Sequence, residues 1–184
     1  MIDLTAPLQN SIIVEDKEYL INTDFRYWIK FDQILKDKPH LYDLAFLFTD
    51  VVPDVDFSKE LLAFYINDNP LPRTTQQSSS EKLIDYKFDS EYLISSFYKE
   101  YRINLTLDNL HWHLFKALLI GLPDDSKMKK IMGYRSYIRS KKTEDQFMQE
   151  MKKVWSLDGV ENIEKQKLEE KEEIEEINKL FYNC

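Results

Sequence analysis

Residues 106–135 read TLDNLHWHLFKALLIGLPDDSKMKKIMGYR, and two helical patterns in this stretch meet at a Gly-Leu-Pro corner. The apolar residues before the corner recur every three or four positions, which predicts a mostly buried helix capped by Thr106. Gly121 can adopt the left-handed conformation that ends many helices, and Pro123 cannot continue a helix because it lacks an N–H. The two aspartates that follow can cap a second helix. We therefore predict a helical hairpin at the centre of the chain.

The composition of the 184-residue chain is that of a protein that folds around an apolar core. Hydrophobic residues make up 43% of the chain and aromatic residues 14%, which is inconsistent with disorder throughout. No apolar run approaches the roughly 20 residues of a membrane-spanning helix, and residues 1–10 lack the positive start and apolar core of a signal peptide. The single cysteine, Cys184, cannot form an internal disulfide. We expect a cytoplasmic protein without a membrane segment.

Charge is distributed unevenly along the chain. Residues 1–67 carry 6 basic and 12 acidic residues, residues 68–157 carry 15 and 12, and residues 158–184 carry 4 and 9. A basic middle therefore lies between acidic ends. The net charge of -8 disfavours nucleic acid as a general partner.

The first predicted lobe, residues 1–67, contains a β-hairpin and three helices. Two short β-branched and aromatic runs flank residues 15–17, which predicts strands joined by a three-residue loop. The predicted elements are strands Ser11–Val14 and Glu18–Ile21, helix Phe25–Lys36 capped by Asn22, Thr23 or Asp24, a buried helix His40–Phe48, and a helix through Leu61–Ile66 capped by Asp56 or Ser58.

A flexible linker is predicted for residues 68–83, which contain two prolines and the polar run TTQQSSS. The second lobe, residues 84–157, begins with a helix that Asp89 or Ser90 can cap and continues with the central hairpin. Its last helix follows a capping box formed by Thr143 and Gln146. The predicted inward face of that helix consists of Phe147, Met148, Met151, Val154, Trp155 and Leu157.

Residues 158–184 have the composition of a solvated helix. Val160, Ile163, Ile174, Ile177 and Phe181 fall on heptad core positions, but the two core positions between them hold Lys167 and Glu170. The apolar seam is therefore interrupted. The chain as a whole is predicted to be mainly α, with a small N-terminal β-hairpin, two helical lobes and a charged C-terminal helix.

The sequence contains no recognisable catalytic or metal-binding motif. His111 and His113 lie two positions apart, and on a helix such side chains point in nearly opposite directions, so we do not expect them to share a metal ion. A Cys-x-x-Cys pair, a His-Glu-x-x-His motif and a glycine-rich phosphate loop are all missing. We therefore predict a protein that is not an enzyme and that needs no metal or other cofactor.

Basic residues concentrate in residues 127–153, where nine lysines and arginines stand against three acidic residues. Such a run, interleaved with tyrosines, can bind phosphate backbones or an acidic protein. It can also be the solvated face of two amphipathic helices, which we favour, and the acidic residues after Asp158 can themselves cover it. The candidate partner-binding residues are Tyr98, Tyr101, Lys130, Tyr134, Arg135, Tyr137 and Arg139.

A series of short motifs runs through residues 10–157. They are Asn22-Thr23-Asp24-Phe25-Arg26, Trp28-Ile29-Lys30-Phe31, Asp85-Tyr86 with Asp89, Ser96-Phe97 with Tyr101, Leu105, Leu110-His111-Trp112 with Phe115, Ala117-Leu118-Leu119, Gly121-Leu122 and Tyr134-Arg135. In these motifs and their order the chain resembles a bacteriophage protein family of siphophages and prophages of Gram-positive bacteria, usually encoded near the tape-measure gene. None of the motifs is catalytic.

The gene position of that family resembles the position of tail-assembly chaperones, which bind the apolar, helix-prone tape-measure protein and help to deliver major tail subunits. The resemblance implies a chaperone with the tape-measure protein and the major tail protein as partners, acting in the cytoplasm of the infected host and absent from the mature virion. A homo-oligomer is compatible with this role. Two alternatives stay open: a structural or connector component retained in the particle, and a small nucleic-acid-binding regulator.

Overall fold

The computed structural model describes residues 4–35, 39–67, 82–138 and 145–158, and it confirms a mainly helical protein with a small N-terminal hairpin. Its elements are β1 (Ser11–Val14), β2 (Lys17–Leu20), α1 (Phe25–Leu35), a 3-10 helix (Leu41–Leu47), α2 (Ser58–Ile66), α3 (Ser90–Tyr101), α4 (Trp112–Ile120), α5 (Lys127–Arg135) and α6 (Asp145–Trp155). Most of the predicted linker, the cap residue Thr143 and the predicted tail after Asp158 lie outside the described residues.

The chain forms two compact units whose boundaries differ from those of the predicted lobes. Unit 1 holds the described residues of 4–67 and 92–126, and unit 2 holds those of 82–91 and 127–158. The predicted lobe 84–157 is therefore divided between the units, as are the two halves of the central hairpin. Helix α4 packs against α1 in unit 1, and α5 packs against α6 in unit 2. Tertiary partners, not neighbours in sequence, decide this division.

Aromatic side chains form the core of unit 1. Phe115 of α4 is buried and stacks on Phe25 of α1 and on Phe97 of α3, with ring centroids 4.8 and 5.2 Å apart. Trp28 of α1 is also buried, and its ring centroid lies 4.5 Å from that of Phe64 of α2. Each such side chain contributes about 1.5–3 kcal/mol by burial. This cluster explains why residues 92–126 fold with the N-terminal helices.

The hairpin turn has two residues, so the predicted three-residue loop is wrong. Val14 pairs with Lys17, and between them Glu15 and Asp16 both have positive φ angles, of 47° and 62°. A two-residue turn with both residues left-handed matches the twist of the flanking strands, although glycine usually fills its second position. Strand β1 buries Val14 and packs against α2, which stabilises a hairpin that would be marginal alone.

Residues 41–47 form a 3-10 helix within the span predicted to be helical, His40–Phe48, and the helix ends one residue earlier than predicted. The reason lies in Asn22, whose side-chain amide donates to the carbonyl oxygen of Phe46 at 2.8 Å. The backbone N–H of Asn22 donates to the carbonyl of Leu47 at 2.7 Å. These carbonyls are committed to another part of unit 1, so the helix does not continue past residue 47.

Helix α4 begins at Trp112, six residues after the predicted cap Thr106. The residues between them form a loop that Arg26 of α1 holds in place. Its guanidinium donates to the carbonyl oxygens of Leu105 and Asp108 at 3.0 and 2.9 Å. Arg26 thus holds these carbonyls in a loop, and the backbone N–H groups of Leu110 and Trp112 donate to Asp24 and Thr23 instead of closing a helical turn, so α4 starts later than its apolar periodicity predicts.

Gly121 does not take the left-handed conformation expected at the end of α4, since its φ is -76°. The lack of room for a side chain explains why this residue is a glycine. A Cβ atom at this position would lie 3.3 Å from the carbonyl oxygen of Ala117 and 3.4 Å from the hydroxyl of Tyr101. That hydroxyl donates to the carbonyl oxygen of Leu118 at 2.9 Å. Glycine therefore lets Tyr101 reach one of the last carbonyls of α4.

Candidate partner-binding surface

Part of the apolar face of helix α6 is exposed. Phe147 and Val154 lie about two turns apart on one stripe and are 57% and 67% exposed. Met151 lies between them and is half-buried, as are Met148 and Trp155 further round the helix. The prediction that Phe147 and Val154 point inward is therefore wrong. The apolar stripe is wider than the part of it that α5 covers, so one edge faces solvent.

Tyr134 of α5 extends this exposed edge. Its ring meets that of Phe147 edge to face, with centroids 6.4 Å apart. We define the α5–α6 surface as Tyr134, Phe147, Met151 and Val154. Lys130 is exposed one turn before Tyr134 on α5 and places a positive charge at the rim. An apolar stripe of this length with a polar rim suits the apolar face of a partner helix.

Arg135 holds the two helices of this surface in place from inside unit 2. Its guanidinium donates to both carboxylate oxygens of Asp89, at 2.5 and 2.8 Å, and to the carbonyl oxygens of Leu83 and Trp155, at 2.9 and 2.7 Å. The end of α5 is thereby linked to the end of α6 and to the segment before α3. A surface fixed in this way loses less conformational entropy on binding than a mobile one.

Two of the seven predicted partner-binding residues, Tyr98 and Tyr101, belong to unit 1. Tyr98 is exposed on α3, and the guanidinium of Arg102 lies 6.0 Å from its ring centroid. Tyr101 is half-buried and bonded to Leu118. Burial, with a smaller contribution from the carboxylate of Glu100, raises the pKa of Tyr101 above its usual value. Tyr98 is thus the more accessible of the two.

The other five predicted residues follow one another along α5 and the residues after it. Lys130 is exposed, and the ring of Tyr134 contacts that of Phe147. Arg135 is buried and paired with Asp89. Tyr137 is half-buried, and its carbonyl oxygen accepts from Lys152 at 3.2 Å, while Arg139 lies outside the described residues. The structure thus brings Lys130 and Tyr134 to one surface and gives Arg135 an internal partner. Sequence reasoning missed Phe147 and Val154 as surface residues, although the width of the apolar stripe on α6 was a usable signal.

His111 and His113 come close together, so the expectation that they point apart is wrong. His111 precedes the first turn of α4, and the two ring centroids are 5.0 Å apart. The Nε2 of His111 donates to the carbonyl of Gln9 at 2.8 Å, and its Nδ1 accepts from the backbone N–H of His113 at 3.1 Å. The Nε2 of His113 donates to the carbonyl of Phe64 at 2.8 Å. These bonds make His111 a helix cap and His113 a core residue.

Burial lowers the pKa of both histidines. Burial lowers the pKa of His113 to about 4. The hydrogen bond to the Phe64 carbonyl raises this pKa, and the nearby His111 and Lys116 lower it further. The pKa of His111 is lowered by burial against the raising effect of its bond to Gln9. Both rings are therefore neutral at pH 7, in agreement with Nδ1 of His111 accepting a hydrogen bond.

An open cavity of about 770 Å³ lies in unit 1 beside the start of α1. Its charged lining consists of Asp24, Arg26 and Lys30. Arg26 is bonded to the carboxylate of Asp24 at 3.0 Å and to the loop before α4. The ammonium of Lys30 lies 4.2 Å from the ring centroid of Phe46. These charged groups contact other residues of unit 1.

Within the described residues, no three His, Cys, Asp or Glu side chains are grouped so that they could hold a metal ion. None of the described helices combines the length and the apolar character needed to cross a bilayer.

A protein-family model described as "Bacteriophage Gp15 protein" matches residues 4–157 of the chain. The match confirms the predicted resemblance to a bacteriophage protein family and covers both units. No curated protein and no solved structure matches the chain.

Proposed function

Because the chain belongs to the bacteriophage Gp15 protein family, we propose that it is a tail-assembly chaperone that binds the tape-measure protein of a siphophage of Gram-positive bacteria. In this role it acts in the host cytoplasm, keeps the long apolar tape-measure helices in solution, and assists the addition of the major tail protein. It leaves before the virion is complete. The work is binding alone and requires no catalytic group or cofactor.

The observation that carries the proposal is the α5–α6 surface. Phe147 and Val154 are separated by seven residues, about 10 Å along α6, which matches the spacing of apolar side chains on two turns of an amphipathic client helix. Tyr134 adds an aromatic ring that is ordered by its contact with Phe147. Aromatic side chains in such positions contribute large contact area at low entropic cost.

The charges around the surface favour a protein partner over nucleic acid. Arg135, one of the two arginines of the basic run and therefore able to bind phosphate in a bidentate way, is occupied by Asp89 inside unit 2. Lys130 and Lys153 are exposed at the sides of α5 and α6. A few rim lysines orient an acidic partner and raise its association rate, while the apolar contact supplies most of the affinity.

Co-expression with the tape-measure protein of the same phage tests the proposal. The chain should keep the tape-measure protein soluble and purify with it as a complex. Phe147→Asp should abolish the complex, whereas Gln146→Asp, at an exposed neighbouring position on the polar side of α6, should leave it intact. An insoluble tape-measure protein in the presence of the chain, together with the chain at fixed stoichiometry in purified particles, would contradict the proposal and favour a structural component.

A further inference from the structure

The exposed stripe of α6 has a counterpart of equal length in the same chain. At helical spacing, Ile174, Ile177 and Phe181 fall on one stripe seven residues long. The stripe from Phe147 to Val154 is also seven residues long. Two apolar stripes of about 10 Å each can cover one another side by side.

The charges of the two regions are complementary. Residues 159–184 contain eight acidic and four basic residues, a net charge of -4. Residues 127–153 contain nine basic and three acidic residues, a net charge of +6. Opposite net charges on segments joined by the chain attract one another even with the Debye length of about 8 Å at physiological salt.

The connecting chain is long enough for the two stripes to meet. Fifteen residues, 159–173, separate Asp158 from Ile174. They span up to about 50 Å when fully extended and about 22 Å as the helix predicted for residues 158–184, whereas α6 with its 11 residues is about 16 Å long. A flexible connection of this length gives an effective concentration in the millimolar range, so a contact with a dissociation constant below that range would be largely formed.

We propose that residues 174–181 occupy the α5–α6 surface of the same chain when no client is bound, with Ile174, Ile177 and Phe181 against Phe147 and Val154. If the chain is the proposed chaperone, the docked segment competes with the client helix, and the client displaces it when it binds. The docked segment shields an exposed apolar surface from aggregation before assembly. It also restricts binding to clients whose affinity exceeds that of the tethered segment.

The single cysteine allows a direct test in the full chain without any client. A nitroxide attached to Cys184 broadens the NMR signals of nearby backbone amides. The amides of Tyr134, Phe147 and Val154 should lose most of their intensity. Ile174→Asp with Ile177→Asp should restore the lost signals. The matched control, Asn162→Asp with Gln166→Asp, adds the same charge at polar positions and should leave the broadening unchanged.

Three outcomes would overturn the proposal. In the first, the amides of the α5–α6 surface are not broadened. In the second, the broadening persists in the variant with Ile174→Asp and Ile177→Asp. In the third, an unlabelled copy that carries the nitroxide broadens the signals of an isotope-labelled chain, which would indicate contact between molecules. The tape-measure protein takes no part in this experiment. Absence of broadening would therefore contradict the docking of residues 174–181 without contradicting the proposed chaperone role. An insoluble tape-measure protein in the co-expression experiment would contradict the chaperone role without contradicting the docking.

Discussion

Arg135 and Asp89 form a bidentate ion pair that is almost completely enclosed, with side chains only 3% and 0% exposed. They are 46 residues apart in the chain, and Arg135 also binds the carbonyls of Leu83 and Trp155. One guanidinium on α5 thus satisfies four acceptors from two other segments of unit 2. The arrangement makes Arg135 a structural residue of the partner-binding surface, beneath the side chains that face outward.

Removing one member of this pair should destabilise unit 2 strongly. Asp89→Asn keeps the shape but leaves a buried guanidinium without its counter-charge, which costs about 3–5 kcal/mol. The free energy of unfolding in urea, followed by circular dichroism, measures the loss. Lys99→Gln, which removes the 69% exposed member of an ion pair with Glu100, is the control and should change stability by less than about 1 kcal/mol. Equal stability of Asp89→Asn and the unmutated chain would contradict this role.

Trp112 should be among the most costly core residues of unit 1 to truncate. It is 1% exposed, stacks on Tyr65 with ring centroids 5.2 Å apart, and donates from Nε1 to the Tyr65 carbonyl at 2.9 Å. Trp112→Ala should lower the free energy of unfolding by roughly 3–5 kcal/mol through the cavity it leaves. Leu114→Ala, at an exposed position of the same helix, should cost much less. Similar thermal denaturation curves for the two variants would refute the assignment.

Stability should fall in mild acid because of His113. Its folded pKa of about 4 lies below the unfolded value near 6.5, so the unfolded chain binds the proton more readily. The stabilisation is complete above pH 6.5 and is lost as the pH falls toward 4, by roughly 3 kcal/mol. Urea unfolding at several pH values measures this slope.

A histidine control isolates this effect. His113→Gln, which can still donate to the Phe64 carbonyl, should flatten the pH dependence between 6.5 and 4. His40→Gln, at an exposed position, should leave it unchanged. If both variants follow the slope of the unmutated chain, the acid sensitivity has another source.

Binding of the tape-measure protein should depend only modestly on salt. Apolar contacts at Phe147 and Val154 are not screened by ions, whereas a complex held by several phosphate or carboxylate contacts to the basic run loses affinity steeply. The dissociation constant measured between 50 mM and 500 mM salt distinguishes the two. Lys130→Gln should reduce the small salt dependence further while Phe147→Ala weakens binding at every salt concentration. A steep loss of affinity with salt would assign the binding to the basic run.

The hairpin turn should be open to improvement. Glu15 and Asp16 occupy left-handed positions for which Asn-Gly is the favoured pair. Replacing them by Asn-Gly should raise the free energy of unfolding by about 0.5–1 kcal/mol, since glycine removes the strain of a side chain at positive φ. Thermal denaturation measures the gain. A loss of stability would mean that the φ angles of this turn are not those described.

Helix positions were predictable where a local pattern and a local cap agree. Helix α1 was predicted at Phe25–Lys36 and runs Phe25–Leu35, where Asp24 accepts from the N–H of Arg26 as a cap. For α3, the expected apolar residues and the choice of Asp89 or Ser90 as its start agree with Ser90–Tyr101. Three- and four-residue periodicity is a property of neighbouring residues, so it can be read without knowing the fold.

Predictions failed where a distant residue takes over a local hydrogen bond. Asn22 ends the 3-10 helix by binding its last carbonyls, and Arg26 delays α4 by binding the carbonyls of the preceding loop. His111 was assigned to a helix and is instead its cap. The bonds of Asn22 and Arg26 join residues that are far apart in the chain, and no short-range pattern reveals them.

By itself, the sequence determined that this protein is mainly helical, begins with a small hairpin and resembles a bacteriophage family. Composition, apolar spacing and motif order are properties of the linear sequence and do not depend on the fold. Only the tertiary structure decided that α4 joins α1 while α5 joins α6, that Arg135 turns inward to Asp89, and that Phe147 and Val154 stay exposed. The physical reason is that an apolar stripe shows only which face of a helix is more stable when buried. Which neighbour covers it, and how much of it, depends on the shapes and hydrogen bonds of segments remote in sequence.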